Sequence, residues 1–267
     1  MKMFLINSLT TVLALYILVC ILLYLFQEKL IFFPDKLGKD YLFQFDQTFE
    51  EKNIKTIDGK ILHGLLFKAD SSNGVILYLH GNGGSLSSWG DVAHAYTDLN
   101  YDVFILDYRG YGKSEGVIKG EKQLYSDIQT VYDELKRDYS EDKIIVLGYS
   151  IGSGPASKVA SDNNPKLLIL QAPYYNLTDL MRRTYSIIPT FILKYKFETN
   201  EHLKGCKMPV VIFHGELDEV IYYGSSLKLK DEFKSTDTLI TLRGQGHNGM
   251  TDSEEYRIEL RKVLVNE

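Results

Sequence analysis

A serine lies between two glycines directly after an apolar run, in the stretch Gly148-Tyr149-Ser150-Ile151-Gly152. A serine hydroxyl is a weak nucleophile unless a base removes its proton as it attacks. Flanking glycines are typical of a sharp turn from a strand into a helix, where a side chain would collide with neighbouring backbone. Because serine and glycine are common, the motif alone is weak, and its meaning depends on partners elsewhere in the chain.

A base and an acid for this serine follow later in the sequence. His247 lies in a glycine-rich loop after the last apolar run, and Asp218 follows the run before it. A histidine in this role takes the serine proton, and a carboxylate holds the imidazole in the right tautomer. Glu216 and Glu219 lie beside Asp218 and are alternatives for the carboxylate.

The tetrahedral intermediate of acyl transfer needs hydrogen-bond donors aimed at its oxyanion. Ile151, directly after the serine, would offer one backbone N–H at the start of a helix. A second donor would come from Asn82 or Gly83 in the loop after His80, because the glycines there let a carbonyl group approach the backbone. We expect His80 itself to brace this loop.

Aromatic residues near the predicted turn are candidates for the substrate pocket. Tyr149 precedes the serine, and Tyr174 and Tyr175 follow the next apolar run. Buried packing explains these tyrosines equally well, so a substrate-binding role for Tyr149 and Tyr174 rests on their position alone.

Six short apolar runs are predicted to position these residues. Each is almost continuously hydrophobic, as strands buried on both faces are. Stretches with helical spacing separate most of them, so we predict a mostly parallel sheet with helices on both faces. Ligands bind at the carboxyl ends of such strands, where the glycine-rich loops with the candidate residues lie. The runs are 75–79, 103–106, 144–147, 167–170, 210–213 and 239–242.

The first segment is predicted to lie outside this fold. Residues 3–26 contain no charged residue, and a helix of this length, at about 1.5 Å per residue, spans the ~30 Å hydrocarbon core of a bilayer. We expect a single-pass anchor whose partner is the lipid bilayer. A cleaved signal peptide and a lipid-modified Cys20 are alternatives. More lysines follow the segment than precede it, which favours the cytoplasmic side for the rest of the chain.

These patterns divide the chain into an anchor at 1–27, a connector at 28–46 and a catalytic domain at 47–267. A turn signal at residues 58–59 lies between two alternating segments and predicts a hairpin near the start of the domain. Residues 172–208 contain no clear strand. A long insertion of this kind indicates a lid over a pocket, with a plain structural connection as the alternative.

The order of serine, aspartate and histidine at successive strand ends resembles the α/β-hydrolase superfamily. The resemblance covers about residues 45–265 and includes the motifs at 80–84 and 107–114. With its anchor, the chain resembles the small membrane-anchored serine esterase and thioesterase branch. This resemblance implies an α/β-hydrolase fold, with a mostly parallel central sheet flanked by helices, an N-terminal transmembrane helix, a small lid and a Ser-Asp-His triad.

We therefore expect a membrane-anchored serine hydrolase that cleaves a carboxylic ester, thioester or amide through an acyl-enzyme formed on Ser150. Its substrate would be a small-molecule or lipid-like acyl compound, and no cofactor would be needed. One alternative is a serine peptidase acting on small acyl-peptides. The other is a non-catalytic, membrane-tethered binding or scaffold protein on the same fold.

Other classes of function have little support in the sequence. The six histidines show no metal-ligand spacing, so no metal site is predicted. The net charge of -5 argues against nucleic-acid binding. The two cysteines, Cys20 and Cys206, lie far apart and imply no disulfide. The sequence gives no indication of protein partners.

Overall fold

An eight-stranded mixed sheet forms the centre of the protein, whose residues 1–265 are described by a computed structural model. These described residues form ten strands: β1 (Phe33–Pro34), β2 (Phe49–Lys55), β3 (Ile61–Phe67), β4 (Val75–Leu79), β5 (Gly83–Gly84), β6 (Asp102–Asp107), β7 (Ile144–Tyr149), β8 (Leu167–Gln171), β9 (Val210–Gly215) and β10 (Thr238–Leu242). The order in the large sheet is β10-β9-β8-β7-β4-β6-β3-β2. Pairing is parallel from β10 to β6 and antiparallel at β3 and β2, so the predicted fold class is confirmed.

Each predicted apolar run lies in a strand whose ends fall within two residues of the prediction. Strands β4, β6, β7, β8 and β9 are buried along their whole length, which explains why their sequences are continuously hydrophobic. The sixth run differs, because β10 is the edge strand of the sheet and only Leu242 in it is buried. The predicted hairpin is formed by β2 and β3.

Helices cover both faces of the sheet. The helices are α1 (Lys2–Leu25), which lies apart from the sheet, and α2 (Gln27–Ile31), α3 (Leu86–Trp89), α4 (His94–Thr97), α5 (Glu121–Asp138), α6 (Ser153–Asp162), α7 (Leu177–Thr184), α8 (Thr199–Leu203), α9 (Gly224–Leu229) and α10 (Glu254–Val265). Successive residues of a strand point to opposite faces. In β7, Val146 joins a core with α5 and α6, whereas Ile145 and Leu147 join a core with α10.

Helix α1 lies outside both cores. Within residues 1–265, it is the one helix long and apolar enough to cross a membrane, and none of its residues is buried. After α2 the chain forms β1, which pairs in parallel with β5 in the loop that follows β4. The membrane-proximal connector is therefore attached directly to the loop that carries Asn82 and Gly83.

Candidate active site

Ser150 follows the last residue of β7 and has a left-handed backbone conformation, with φ of 52°. Residues other than glycine rarely adopt this conformation, which costs about 1–3 kcal/mol. The two flanking glycines make the turn possible. A Cβ added at Gly148 would lie 2.5 Å from the carbonyl oxygen of Gly152, and one added at Gly152 would lie 2.1 Å from that of Leu79.

The structure brings Ser150, His247 and Asp218 together at the carboxyl edge of the sheet. His247 Nε2 lies 3.1 Å from Ser150 Oγ, and His247 Nδ1 lies 2.7 Å from Asp218 Oδ2. All three residues are buried. With Nδ1 donating to the carboxylate, Nε2 is free to accept the serine proton. The arrangement can therefore perform nucleophilic attack with general-base assistance.

Asp218 is held by a further histidine, His214, which the sequence reasoning did not select. His214 Nε2 lies 3.2 Å from Asp218 Oδ2, while the N–H groups of Val220 and Ile221 donate to Oδ1 at 2.8 and 2.7 Å. Burial alone would raise the pKa of the Asp218 carboxyl, but the bonds from His214 and His247 outweigh it and hold this pKa well below its usual range. Asp218 is therefore ionised across the neutral range. The sequence signal that could have indicated this contact is the spacing: His214 lies at the end of an apolar run, four residues before Asp218.

The two alternative carboxylates make other contacts. Glu216 accepts the backbone N–H of Gly244 at 2.9 Å, and Glu219 accepts that of His247 at 3.3 Å. Both support the loop that carries His247. Among the three acidic candidates, Asp218 is the one bonded to the imidazole.

The predicted oxyanion donors lie in two different loops. Ile151 follows the serine in a short 3-10 turn that leads into α6. In the loop after β4, the carbonyl oxygen of Asn82 accepts the N–H of Phe33 at 2.9 Å and the hydroxyl of Tyr111 at 2.6 Å. A Cβ added at Gly83 would meet open space. The bonds from Phe33 and Tyr111 thus hold this loop in place. Asn82 and Gly83 both stay candidates for the second donor.

His80 and Asp107 form a buried polar pair beneath this loop. His80 Nδ1 lies 2.7 Å from the carbonyl oxygen of Gly81, and Asp107 accepts the N–H of Leu86 at 3.0 Å. Burial lowers the pKa of His80 to about 4 and raises that of Asp107 to about 8. The contacts of His80 fit the expected role of bracing the loop.

The two candidate substrate-binding tyrosines are bonded to backbone near the triad. Tyr149 donates its hydroxyl to the carbonyl oxygen of His247 at 2.8 Å. It also lines a cleft of about 410 Å³ together with Trp89 and Met250. Tyr174 is buried, accepts the N–H of Gly154 and donates to the carbonyl oxygen of Ile151. Both tyrosines therefore stabilise the site, and their contact with substrate stays a prediction.

No group of three or more metal-ligating side chains occurs within residues 1–265.

Comparison with known proteins gives a consistent picture of the fold. Residues 70–201 match the protein-family model described as serine aminopeptidase, S33. Protein bem46 of Schizosaccharomyces pombe is 32% identical over 190 residues, which cover 67% of this chain and 63% of that protein. The α/β hydrolase domain-containing protein 17B of Xenopus laevis is 29% identical over 203 residues, covering 74% of this chain and 68% of that protein.

Among solved structures, the esterase Pf2001 of Pyrococcus furiosus superposes with a TM-score of 0.70 at 18% identity, covering 88% of this chain and 97% of that one. This likeness shows the fold. The chain spans 63% of the length of bem46. Taken with the sheet order and the strained serine turn, these comparisons show that the chain belongs to the α/β-hydrolase superfamily.

Proposed function

We propose that the protein is a membrane-anchored serine hydrolase that cleaves a carboxylic ester or thioester with a lipid-like acyl group. One observation carries this proposal: His247 lies within hydrogen-bond distance of both Ser150 Oγ and the Asp218 carboxylate, at 3.1 and 2.7 Å. A nucleophile, base and orienting acid in this arrangement are what acyl transfer requires.

In the proposed mechanism, Ser150 Oγ attacks the acyl carbonyl carbon while His247 Nε2 accepts its proton. Asp218 stabilises the resulting imidazolium, and the N–H of Ile151, with that of Asn82 or Gly83, stabilises the oxyanion. His247 then gives the proton to the leaving alcohol or thiol, and the acyl group stays on Ser150. Water attacks the acyl-enzyme and passes a proton to His247, which returns it to Ser150 Oγ as the carboxylic acid leaves.

Labelling with a serine-directed fluorophosphonate tests the nucleophile. We expect the folded full-length protein to be labelled, Ser150→Ala to be unlabelled, and the exposed control Ser71→Ala to be labelled like the wild type. Labelling that persists in Ser150→Ala would overturn the assignment. Absence of labelling in a folded wild-type sample would favour the non-catalytic scaffold.

A substrate panel tests the class of bond that is cleaved. We expect acyl esters and thioesters to be hydrolysed faster than aminoacyl amides, and long acyl chains faster than short ones. The esterase name of the Pyrococcus furiosus protein supports the preference for esters over amides. The description of the matching family as a serine aminopeptidase is the observation that favours amide cleavage. Preference for aminoacyl amides would therefore favour the peptidase alternative.

We also propose that α1 anchors the protein in the membrane, that residues 172–208 form a lid, and that the catalytic domain lies on the cytoplasmic side. The length and composition of α1 support the anchor. Glycosylation acceptor sites inserted at the exposed β2–β3 turn test the side: no glycan is expected there in cells. A glycosylated turn would reverse the orientation and leave the anchor unaffected.

A further inference from the structure

The insertion between β8 and β9 contains an apolar segment with exposed side chains, residues 185–193, which we name the cap tip. The sequence Tyr-Ser-Ile-Ile-Pro-Thr-Phe-Ile-Leu contains no charged residue, and basic residues precede it and follow it at positions 182–183 and 194. Ile187 is 80% exposed and Phe191 is 87% exposed. An apolar segment between basic residues is typical of peptides that bind at a membrane interface.

The cap tip is bonded to the anchor helix and to the residues that follow it. The hydroxyl of Tyr16, in α1, donates to the carbonyl oxygen of Ile187 at 2.8 Å. Gln27 donates to the carbonyl oxygen of Ile192 at 3.1 Å and accepts the N–H of Lys194 at 2.7 Å. The tip therefore runs alongside the last turns of α1.

The position of Tyr16 gives the height of the tip along α1. Leu25 is the last residue of α1. At ~1.5 Å per residue, Tyr16 lies about 13 Å before it along the helix axis. Half of the hydrocarbon core of a bilayer is about 15 Å thick. If α1 spans the membrane, Ile187 therefore lies at a height that only lipid or protein can occupy.

Several backbone groups of the cap tip have partners within the protein, which lowers the cost of placing them in lipid. Ile188 donates its N–H to Tyr185 at 2.9 Å, and Leu193 donates to Thr190 at 3.1 Å. Pro189 has no N–H to satisfy. The carbonyl groups of Ile187 and Ile192 are bonded to the anchor as described above.

We infer that the cap tip inserts into the lipid bilayer beside α1 and forms a second membrane contact of the protein. The continuity of the tip with α1 selects lipid as the occupant. The insertion leaves β8 after Gln171, which pairs with Tyr149 directly before the serine. The second contact therefore ties the edge of the sheet that carries Ser150 to the membrane surface. This last step rests on the proposed function: the edge of the sheet that carries Ser150 receives its acyl substrate from the bilayer.

Depth-dependent fluorescence in reconstituted full-length protein tests this contact. The background carries Cys20→Ser and Cys206→Ala, and a single cysteine at Phe191→Cys is labelled with the environment-sensitive dye NBD. The matched control is Ile57→Cys in the β2–β3 turn, because Ile57 is 86% exposed and lies in the edge hairpin of the sheet. Both variants are placed in phosphatidylcholine vesicles with and without doxyl-labelled phosphatidylcholine. A further variant, Ile187→Cys, is labelled in the same way and reports on a second position in the cap tip.

We expect blue-shifted emission and quenching by doxyl lipid at residues 191 and 187, and neither effect at residue 57. Quenching by aqueous iodide should show the opposite order. Equal iodide quenching at all three positions would overturn the proposal. Protection from iodide without quenching by doxyl lipid would also overturn it, because a second protein copy would then cover the tip. Neither measurement depends on catalysis, so failure of the proposed function would leave the result unchanged.

Discussion

The backbone N–H of Phe33 donates to the carbonyl oxygen of Asn82 at 2.9 Å, which joins the membrane-proximal connector to the loop where the second oxyanion donor is expected. Tyr111 donates its hydroxyl to the same oxygen at 2.6 Å. The orientation of this loop thus depends on Phe33 and Tyr111, neither of which belongs to the candidate triad.

Tyr111→Phe should lower kcat about fivefold on an ester substrate with little change in KM. Removing the hydroxyl leaves the Asn82 carbonyl with one partner, a loss of about 1 kcal/mol that falls on the oxyanion loop. Steady-state kinetics on a p-nitrophenyl ester measure this change. Tyr132→Phe is the matched control, because its hydroxyl bonds to Glu141, away from the triad. Equal effects of the two variants on kcat would contradict a positioning role for Tyr111.

Asp218→Asn should lower kcat by roughly 10⁴-fold at neutral pH, because the neutral amide no longer selects the required histidine tautomer. Glu219→Gln removes the charge of a nearby carboxylate that accepts the backbone N–H of His247 at 3.3 Å. Its effect on kcat should stay within tenfold. Single-turnover kinetics with an activated ester measure both variants. A larger loss in Glu219→Gln than in Asp218→Asn would reassign the orienting acid.

Gly152→Ala should destabilise the fold by about 1–3 kcal/mol, because the new Cβ meets backbone that has little freedom to move. The contact would be 2.1 Å from the carbonyl oxygen of Leu79. Gly83→Ala adds a methyl group where nothing lies within 4 Å, so its stability should stay within about 0.5 kcal/mol of wild type. Denaturant unfolding monitored by circular dichroism compares the two. Equal stability of the two variants would contradict the steric explanation of the serine turn.

Asp107→Asn should remove a loss of stability that accumulates as the pH rises to about 8. Burial raises the pKa of Asp107 to about 8 in the folded protein, whereas the unfolded carboxyl titrates near ~3.9. The fold therefore retains a proton that the unfolded chain has lost, and the free energy of unfolding falls as pH rises towards 8. His80, whose pKa burial lowers to about 4, acts in the opposite direction only below ~6.5.

Thermal unfolding between pH 6.5 and 8.5 measures this effect. The Tm of the wild type should fall relative to that of Asp107→Asn as the pH rises, and the exposed control Asp98→Asn should follow the wild type. Parallel Tm curves for Asp107→Asn and wild type would show that Asp107 is ionised in the fold throughout this range.

The central sheet could be predicted from the sequence because strands buried on both faces leave continuous apolar runs. The candidate triad could be predicted because Ser150, Asp218 and His247 each follow such a run. The edge strand β10 has a similar run but is only partly buried, since apolar composition does not report which strand has one neighbour.

Long-range contacts of irregular segments could not be predicted. Strand β1 is a two-residue strand, Phe33–Pro34, that pairs with two glycines about fifty residues later, and neither partner shows a strand pattern. The path of residues 172–208 depends on contacts with α1, such as that of Tyr16 with Ile187. His214 lies inside a buried strand, where its bond to Asp218 depends on how the following turn folds.

The left-handed backbone at Ser150 lowers the stability of the fold and at the same time orients the candidate nucleophile. Glycine adopts this conformation without a steric penalty, so a chain optimised for stability alone would carry glycine there. A serine at this position carries the strain, and its Oγ lies 3.1 Å from Nε2 of His247. The protein thus gives up part of its folding stability to keep Ser150 oriented towards His247 before any substrate binds.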